Sequence, residues 1–398
     1  MSLPIVGLGI ISAIGNNVAE NLASLKAYAD GIGTMQHLHS VHKAVLPVAE
    51  VKLTNSQLAE KCGLPNYISR TALLSAVAAK QALDDAGIAN LAAFRTGFIS
   101  ANTTGGMDKT EAFYESYLSN PNGGRLRRIV HHECGSVTEL VAEHLGIKDY
   151  VTTISTACSS SANAIMYGAR LIRHGKLDVV VAGGTDALTR FTLNGFNTLM
   201  ILDQQPCQPF DENRRGLNLG EGAGYVVLVS EKVASTLKKK PYCNFAGGAN
   251  ANDAYHQTAS SPDGIGNYKA MQGALTQAGL QPSDISYINL HGTGTANNDS
   301  SEGNAINRLF ENKFPKMSST KSFTGHTLGA SGGIEAVFSA LSVANNIIYP
   351  NLRLQTPIAG LPFSAEKFYT DNTIINHAMS NSFGFGGNCS SLVFSKSI

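Results

Sequence analysis

Cys158 sits in TACSSSANA, among small residues that leave room beside its sulfur. A thiol in such a place is either an inert small hydrophobe or a nucleophile, and the surrounding pattern favours the nucleophile. Tyr150 to Ser155 is a short β-branched run suited to a buried strand, and Thr156-Ala157 is a small-residue turn. From Ser159 onward Ala162, Ile165, Met166, Ala169 and Ile172 recur at helical spacing, and Gly175 closes the helix. Cys158 is therefore expected at a helix N-terminus, where unpaired backbone N–H groups and the helix dipole favour a thiolate. Two histidines follow in glycine-rich settings. ISYINLHGTGT delivers His291 from a strand, and SSTKSFTGHTLGASGG delivers Lys321 and then His326. A single loop histidine is commonly structural; two at the carboxyl ends of strands, in loops that admit a ligand to the backbone, point to a site. Glu335 opens the next helix, and a Lys321–Glu335 pair would hold the His326 loop. In NSFGFGGN the glycines Gly384 and Gly386 flank Phe385, which predicts a loop of unusual backbone conformation whose ring plugs a pocket. Gly216 to Gly224, GLNLGEGAG, lacks the Lys-Ser/Thr of a phosphate cradle and reads as a turn-and-packing device.

The elements that must position these residues alternate. Leu3 to Gly9 is a strand, followed by helices from about 18 to 26 and 69 to 86 with an irregular stretch, 31 to 57, between them. A strand at 94–100 leads through Thr103-Thr104-Gly105-Gly106 into a helix at 108–118, and helix 134–145 brings the chain to Cys158. Strands at 178–182 and 225–230 end this half. Lys238-Lys239-Lys240-Pro241 reads as a surface linker. A new cycle then predicts strand 242–249, helix 266–278, strand 285–290, helix 301–310, strand 316–319, helix 331–345, and strands 374–379 and 390–395. The expectation is an α/β duplication, with units 1–240 and 241–398.

The chain has 398 residues, enough for a large core. Charge is balanced, 30 basic against 29 acidic residues, so no global attraction to nucleic acid or a membrane surface is implied. The cysteines (Cys62, Cys134, Cys158, Cys207, Cys243, Cys389) show neither metal-site spacing nor a disulfide framework, which suits a reducing cytoplasm and predicts no metal. MSLPIVGLGIIS goes straight into a strand without a signal-peptide pattern, and no apolar run reaches membrane-spanning length.

TACSSSANA, NLHGTGT, TKSFTGH and NSFGFGGN, in that order, with VVVAGGTDA, PFDENRRG, LGEGAG and NDAYH between them, make the whole chain resemble the β-ketoacyl-acyl carrier protein synthases. The resemblance implies a thiolase fold, two βαβαβαββ halves in a five-layered α/β arrangement, and a Cys-His-His condensing site. It implies decarboxylative Claisen condensation of an acyl-Cys158 enzyme with malonyl-carrier protein, giving a 3-oxoacyl product two carbons longer. His291 and His326 would stabilise the enolate, Lys321 and Glu335 would position the His326 loop, and the backbone N–H groups of Cys158 and Phe385 would hold the oxyanion. Thr103, Thr104, Thr293, Thr295, Phe323, Gly384 and Gly386 are expected to line the substrate path, with the Thr103 and Thr104 hydroxyls in the pocket wall. Arg125, Arg127 and Arg128 are the candidate docking patch for an acidic acyl carrier protein. No cofactor is implied beyond the phosphopantetheine arm of the carrier, and the assembly is expected to be a homodimer or a ketosynthase/chain-length-factor heterodimer. Ala296-Asn297-Asn298-Asp299 after HGTGT and Asn388-Cys389 after GFGG depart from the common pattern, the latter bearing on the conformation of its loop. GTGT-x-ND and the NLHGT opening look more like synthases of aryl-polyene or resorcinol pigment pathways than of housekeeping fatty-acid synthesis. A silent chain-length factor is the alternative, but it typically lacks the cysteine. A degradative thiolase would carry a second cysteine in a Cys-x-Gly setting, which Cys389 does not match.

Overall fold

The structure, a computed structural model, describes residues 2–311 and 313–397. Its main sheet is built from β1 (Leu3–Ser12), β2 (Thr96–Ala101), β3 (Tyr150–Ile154), β4 (Val179–Asp186) and β5 (Gly222–Val229). The second half adds β6 (Cys243–Asn252), β7 (Tyr287–Asn289), β8 (Lys316–Ser318), β9 (His377–Gly384) and β10 (Asn388–Ser395). The strand order is β8-β7-β9-β10-β6-β1-β5-β4-β2-β3. Counted outward from the centre, β1-β5-β4-β2-β3 repeats as β6-β10-β9-β7-β8. The directions repeat too: β2 runs parallel to β3 and β4, β7 runs parallel to β8 and β9, and the other ladders are antiparallel. Within the sheet, the strands of the two halves are joined by the antiparallel pairing of Leu3–Ile5 with Phe245–Cys243.

Helices cover both faces. α1 (Arg70–Ala86), α2 (Met107–Ser119), α3 (Cys134–His144), α4 (Ser160–Arg173) and α5 (Arg190–Thr198) belong to the first half. α6 (Ile265–Ala278), α7 (Ala296–Phe310) and α8 (Ser331–Asn345) belong to the second. α1 packs on β1, β5 and β4, while α6 packs on β6 and β10 with α7 beside it. α4 and α8 touch strands of both halves and form the middle layer. The result is the five-layered α/β thiolase fold. α1 lies close to its sheet because Ala72, Ala76, Ala79, Ala82 and Ala86 all face inward and are fully buried. Alanine gives it high helix propensity, the Ser69 side chain caps its start, and Gly87 in the left-handed region ends it. α8 is buried along nearly its whole length, as a helix between two sheets must be. α4 and α8 cross where Ser161 Oγ accepts from Gly333 N at 2.7 Å.

Three expected boundaries change. Residues 31–57 contain a ribbon, Ile32–Gly33 against Val48–Ala49, and the start of a helix, Asn55–Cys62, that Thr54 and Gln57 cap reciprocally. β9 carries Asn381 to Gly384 within the strand, so the expected loop shrinks to Phe385–Gly387. α7 begins at Ala296, capped by Thr295, and not at 301. Among the described residues, no helix is long and apolar enough to cross a membrane.

Candidate active site

Cys158 follows β3 through a sharp turn. Ala157 sits at φ +53°, in the left-handed region that costs a residue with a Cβ about 1–2 kcal/mol. The serines of TACSSSANA hold this turn: Thr156 N donates to Ser160 Oγ at 2.7 Å, and Ser159 Oγ donates to the Thr156 carbonyl at 2.8 Å. Asn163 Nδ2 donates to Thr156 Oγ1 at 2.8 Å. The sulfur is buried at the threshold of α4. Burial opposes the thiolate that the helix start favours: it pushes the thiol up to about 11, and the N–H of Phe385, the charge of Lys321 and the N–H of Cys158 itself partly offset it.

The histidines come from the second half, His291 two residues after β7 and His326 beyond the helical turn Lys321–Thr324 that follows β8. The Cys158 sulfur and one ring nitrogen of each histidine all lie within 4.8 Å of one another. The two rings meet edge to face with centroids 5.4 Å apart. His326 Nδ1 accepts from Leu328 N at 3.0 Å, with Ser331 Oγ at 3.3 Å. Lys321 Nζ stands 3.3 Å from His291 Nδ1 and is ion-paired with Glu335. An ammonium group only donates, so Nδ1 is an acceptor in both rings and the single ring proton lies on Nε2. Both rings are held neutral. Burial, then the Lys321 charge, lowers His291 well below its ordinary value and lowers His326 to about 3.

The expected Lys321–Glu335 pair is present, tying the Lys321–Thr324 turn to α8, and its lysine also reaches His291. The His326 loop is held by backbone as well. His326 N donates to the Asn218 carbonyl at 2.8 Å, and Gly220 N donates to the His326 carbonyl at 2.9 Å, which gives GLNLGEG its packing task. Glu335 lies within α8 and does not open it. Three residues unread in the sequence complete the frame. Glu302 accepts from the backbone of His291 (2.9 Å) and Gly292 (2.8 Å) and from Asn381 Nδ2 (3.0 Å). Its signal was an acid buried in a helix of small residues. Asp186 closes β4 and binds Thr103, and Phe196 stacks on Phe385 with centroids 5.5 Å apart.

Two cavities meet at Cys158. One, about 350 Å³, is lined by His291, His326, Thr293, Thr295, Gly384 and Phe385 among others. The second, about 360 Å³, runs past Thr103, Thr104, Phe191, Leu199 and Leu328 and is almost wholly apolar. Phe196 borders both. Two expected lining residues stand elsewhere. Phe323 is fully buried in the core and lines neither cavity. Gly386 lines neither cavity; its N–H donates to the Gln257 carbonyl and its carbonyl accepts from Asn252 Nδ2, both at 2.7 Å. The Thr103 and Thr104 hydroxyls are not free in the wall, because both donate to Asp186. Arg125, Arg127 and Arg128 lie on an exposed segment.

A duplicated α/β fold whose first half supplies a buried cysteine and whose second half supplies two neutral histidines defines a thiolase-fold condensing enzyme. The chain belongs to the beta-ketoacyl synthase family: the model of its N-terminal domain matches residues 2–234 and that of its C-terminal domain residues 242–355. It is similar to a 3-oxoacyl-[acyl-carrier-protein] synthase 2 of Staphylococcus aureus, 33% identical over 98% of this chain and 97% of the relative. Among solved structures it is similar to the ishigamide ketosynthase/chain length factor, with TM-score 0.94 and 26% identity over 100% of this chain and 99% of that one. It is also similar to a ketosynthase in complex with its chain length factor from Xenorhabdus doucetiae, with TM-score 0.85 and 30% identity over 100% and 98%.

Proposed function

We propose that Cys158 carries the growing acyl chain, received from an acyl carrier protein, and that the two histidines generate the malonyl-derived nucleophile. The observation that carries this reading is the pair of Nε2–H donors fixed beside one buried sulfur. In the first half-reaction the Cys158 sulfur attacks the carrier thioester. The tetrahedral oxyanion is held by the N–H groups of Cys158 and Phe385, and the carrier thiol departs with the proton that Cys158 loses. Removing one such donor typically costs about 2.7–4 kcal/mol of barrier. In the second, malonyl-carrier protein enters the polar cavity along Thr293 and Thr295. Loss of CO2 places negative charge on the thioester oxygen, where His291 and His326 each donate a hydrogen bond. Neutral rings suit this task, because they keep their Nε2 proton while stabilising the charge. The enolate carbon attacks the acyl-Cys158 carbonyl, and the sulfur leaves as thiolate. Lys321 fixes the His291 tautomer, and Phe385 with Phe196 forms the wall between the two cavities.

The departures after HGTGT support donors of the aryl-polyene or resorcinol pigment type over saturated fatty-acyl donors. The likeness to ketosynthases paired with chain length factors supports a heterodimer as the second assembly reading. The test is intact-protein mass spectrometry after incubation with acyl carrier proteins bearing saturated and polyene chains. An acyl adduct on Cys158 that Cys158→Ala abolishes is expected. His291→Ala and His326→Ala should each stop malonyl decarboxylation while leaving acylation measurable. A wild type that takes no acyl group would favour the chain-length-factor reading.

A further inference from the structure

Asp186 ends β4 with its carboxylate fully buried, and its hydrogen-bond donors come from the loop after β2 and from the turn Leu328–Ala330 before α8. Thr103 N donates to Oδ1 at 3.0 Å and Thr103 Oγ1 to Oδ2 at 2.8 Å. Thr104 Oγ1 donates to Oδ1 at 3.4 Å, and Gly329 N to Oδ2 at 2.7 Å. Thr103, Thr104 and Leu328 line the apolar cavity beside Cys158. Leu328 N is also the donor to His326 Nδ1, so one carboxylate ties the cavity wall to the turn that fixes a catalytic ring. The joint is tight: a Cβ at Gly329 would stand 2.8 Å from Asp186 Oδ2 and 3.0 Å from Thr103 Cγ2. Burying an acid is unfavourable unless hydrogen bonds compensate, and here the compensating donors are the hydroxyls that would otherwise face an acyl chain. No step of the condensation uses this group.

We propose that Asp186 is a positioning residue for acyl selection. It engages the Thr103 and Thr104 hydroxyls so that the cavity accepts long apolar chains, and it holds the Leu328–Gly329 turn that orients His326. The inference rests on reading this cavity as the acyl pocket. Asp186→Asn replaces one acceptor oxygen by an amide NH2, which cannot accept from Gly329 N–H or from a threonine hydroxyl. The measurement is the rate of transfer to Cys158 from carrier protein bearing an acetyl group and from carrier bearing the longest acyl chain the wild type accepts. The long-to-acetyl ratio is expected to fall about tenfold in Asp186→Asn, as an unpaired hydroxyl in an apolar wall requires. Adding Thr103→Val removes one freed hydroxyl and is expected to restore much of that ratio. If Asp186→Asn does not fold, Gly329→Ala displaces the same carboxylate and is expected to lower the same ratio. Equal loss of acetyl and long-chain transfer, or no recovery in the double variant, overturns the proposal. A wild type that transfers acetyl but no longer chain overturns the acyl-pocket reading instead.

Discussion

Cys158 combines two opposed influences, a helix threshold that favours the thiolate and complete burial that opposes it. With the thiol pushed up to about 11, alkylation of the free enzyme by iodoacetamide should rise about tenfold per pH unit between about pH 7 and 9. A plateau below about pH 8 would show an activated resting thiolate. The histidines make an independent prediction. Both are depressed in the fold, so below the ordinary histidine value of 6.5 the unfolded chain binds protons that the native site refuses. Their contribution is complete above pH 6.5 and is lost as the pH falls below it, that of His326 down to about 3. The wild-type denaturation midpoint should decline through this window, and His326→Gln should decline less steeply. That Cys158, His291 and His326 belong to one site was legible, because the cysteine followed a β-branched strand into a small-residue turn and the histidines stood in glycine-rich loops. Protonation was not legible, because it depends on how many layers close over the residue. Lys321 shows the same limit: it was read with its neighbour in sequence, His326, and with Glu335, and folding also brings it to His291.

At the scale of elements, the GFGG hairpin and the Cys158 turn are fitted together by the absence of a side chain. A Cβ at Gly384 would lie 2.9 Å from the Cys158 amide nitrogen. Gly384→Ala should therefore fold yet lose about 10²–10³ in acyl transfer, read by single-turnover acylation. Unimpaired transfer would remove the Cys158 amide from the oxyanion site. Phe196→Ala opens the stacked wall between the cavities and should raise hydrolysis of the acyl enzyme, measured as loss of the adduct without malonyl donor. The helices were well legible where caps and periodicity agreed, as in α1 between Ser69 and Gly87. β9 was not, because burial on both faces leaves no alternation to count and its carboxyl end is written in Asn, Ser and Gly. The Asp186 and Glu302 frames were hidden for a related reason: an acid in the sequence does not reveal that it is fully enclosed.

At the scale of the whole molecule, balanced charge leaves carrier recognition to a local patch. Replacing Arg125, Arg127 and Arg128 by Glu should raise the apparent KM for carrier-bound substrate and remove its salt sensitivity, without changing turnover at saturation. An unchanged salt dependence would move the docking surface elsewhere. The larger organisation also has an experimental consequence. The repeated strand order gives each half its own five strands of the sheet, but α4 and α8 are shared and the reacting groups are divided, the sulfur from one half and the imidazoles from the other. The covalent crossing between them is the Lys238–Pro241 stretch, where Lys239 is anchored to Asp85 of the first half. A chain severed after Lys240 should therefore behave as a complementing pair. Fragments 1–240 and 241–398 made together are expected to assemble and recover condensation. Made apart, each would bare one side of the middle layer and precipitate.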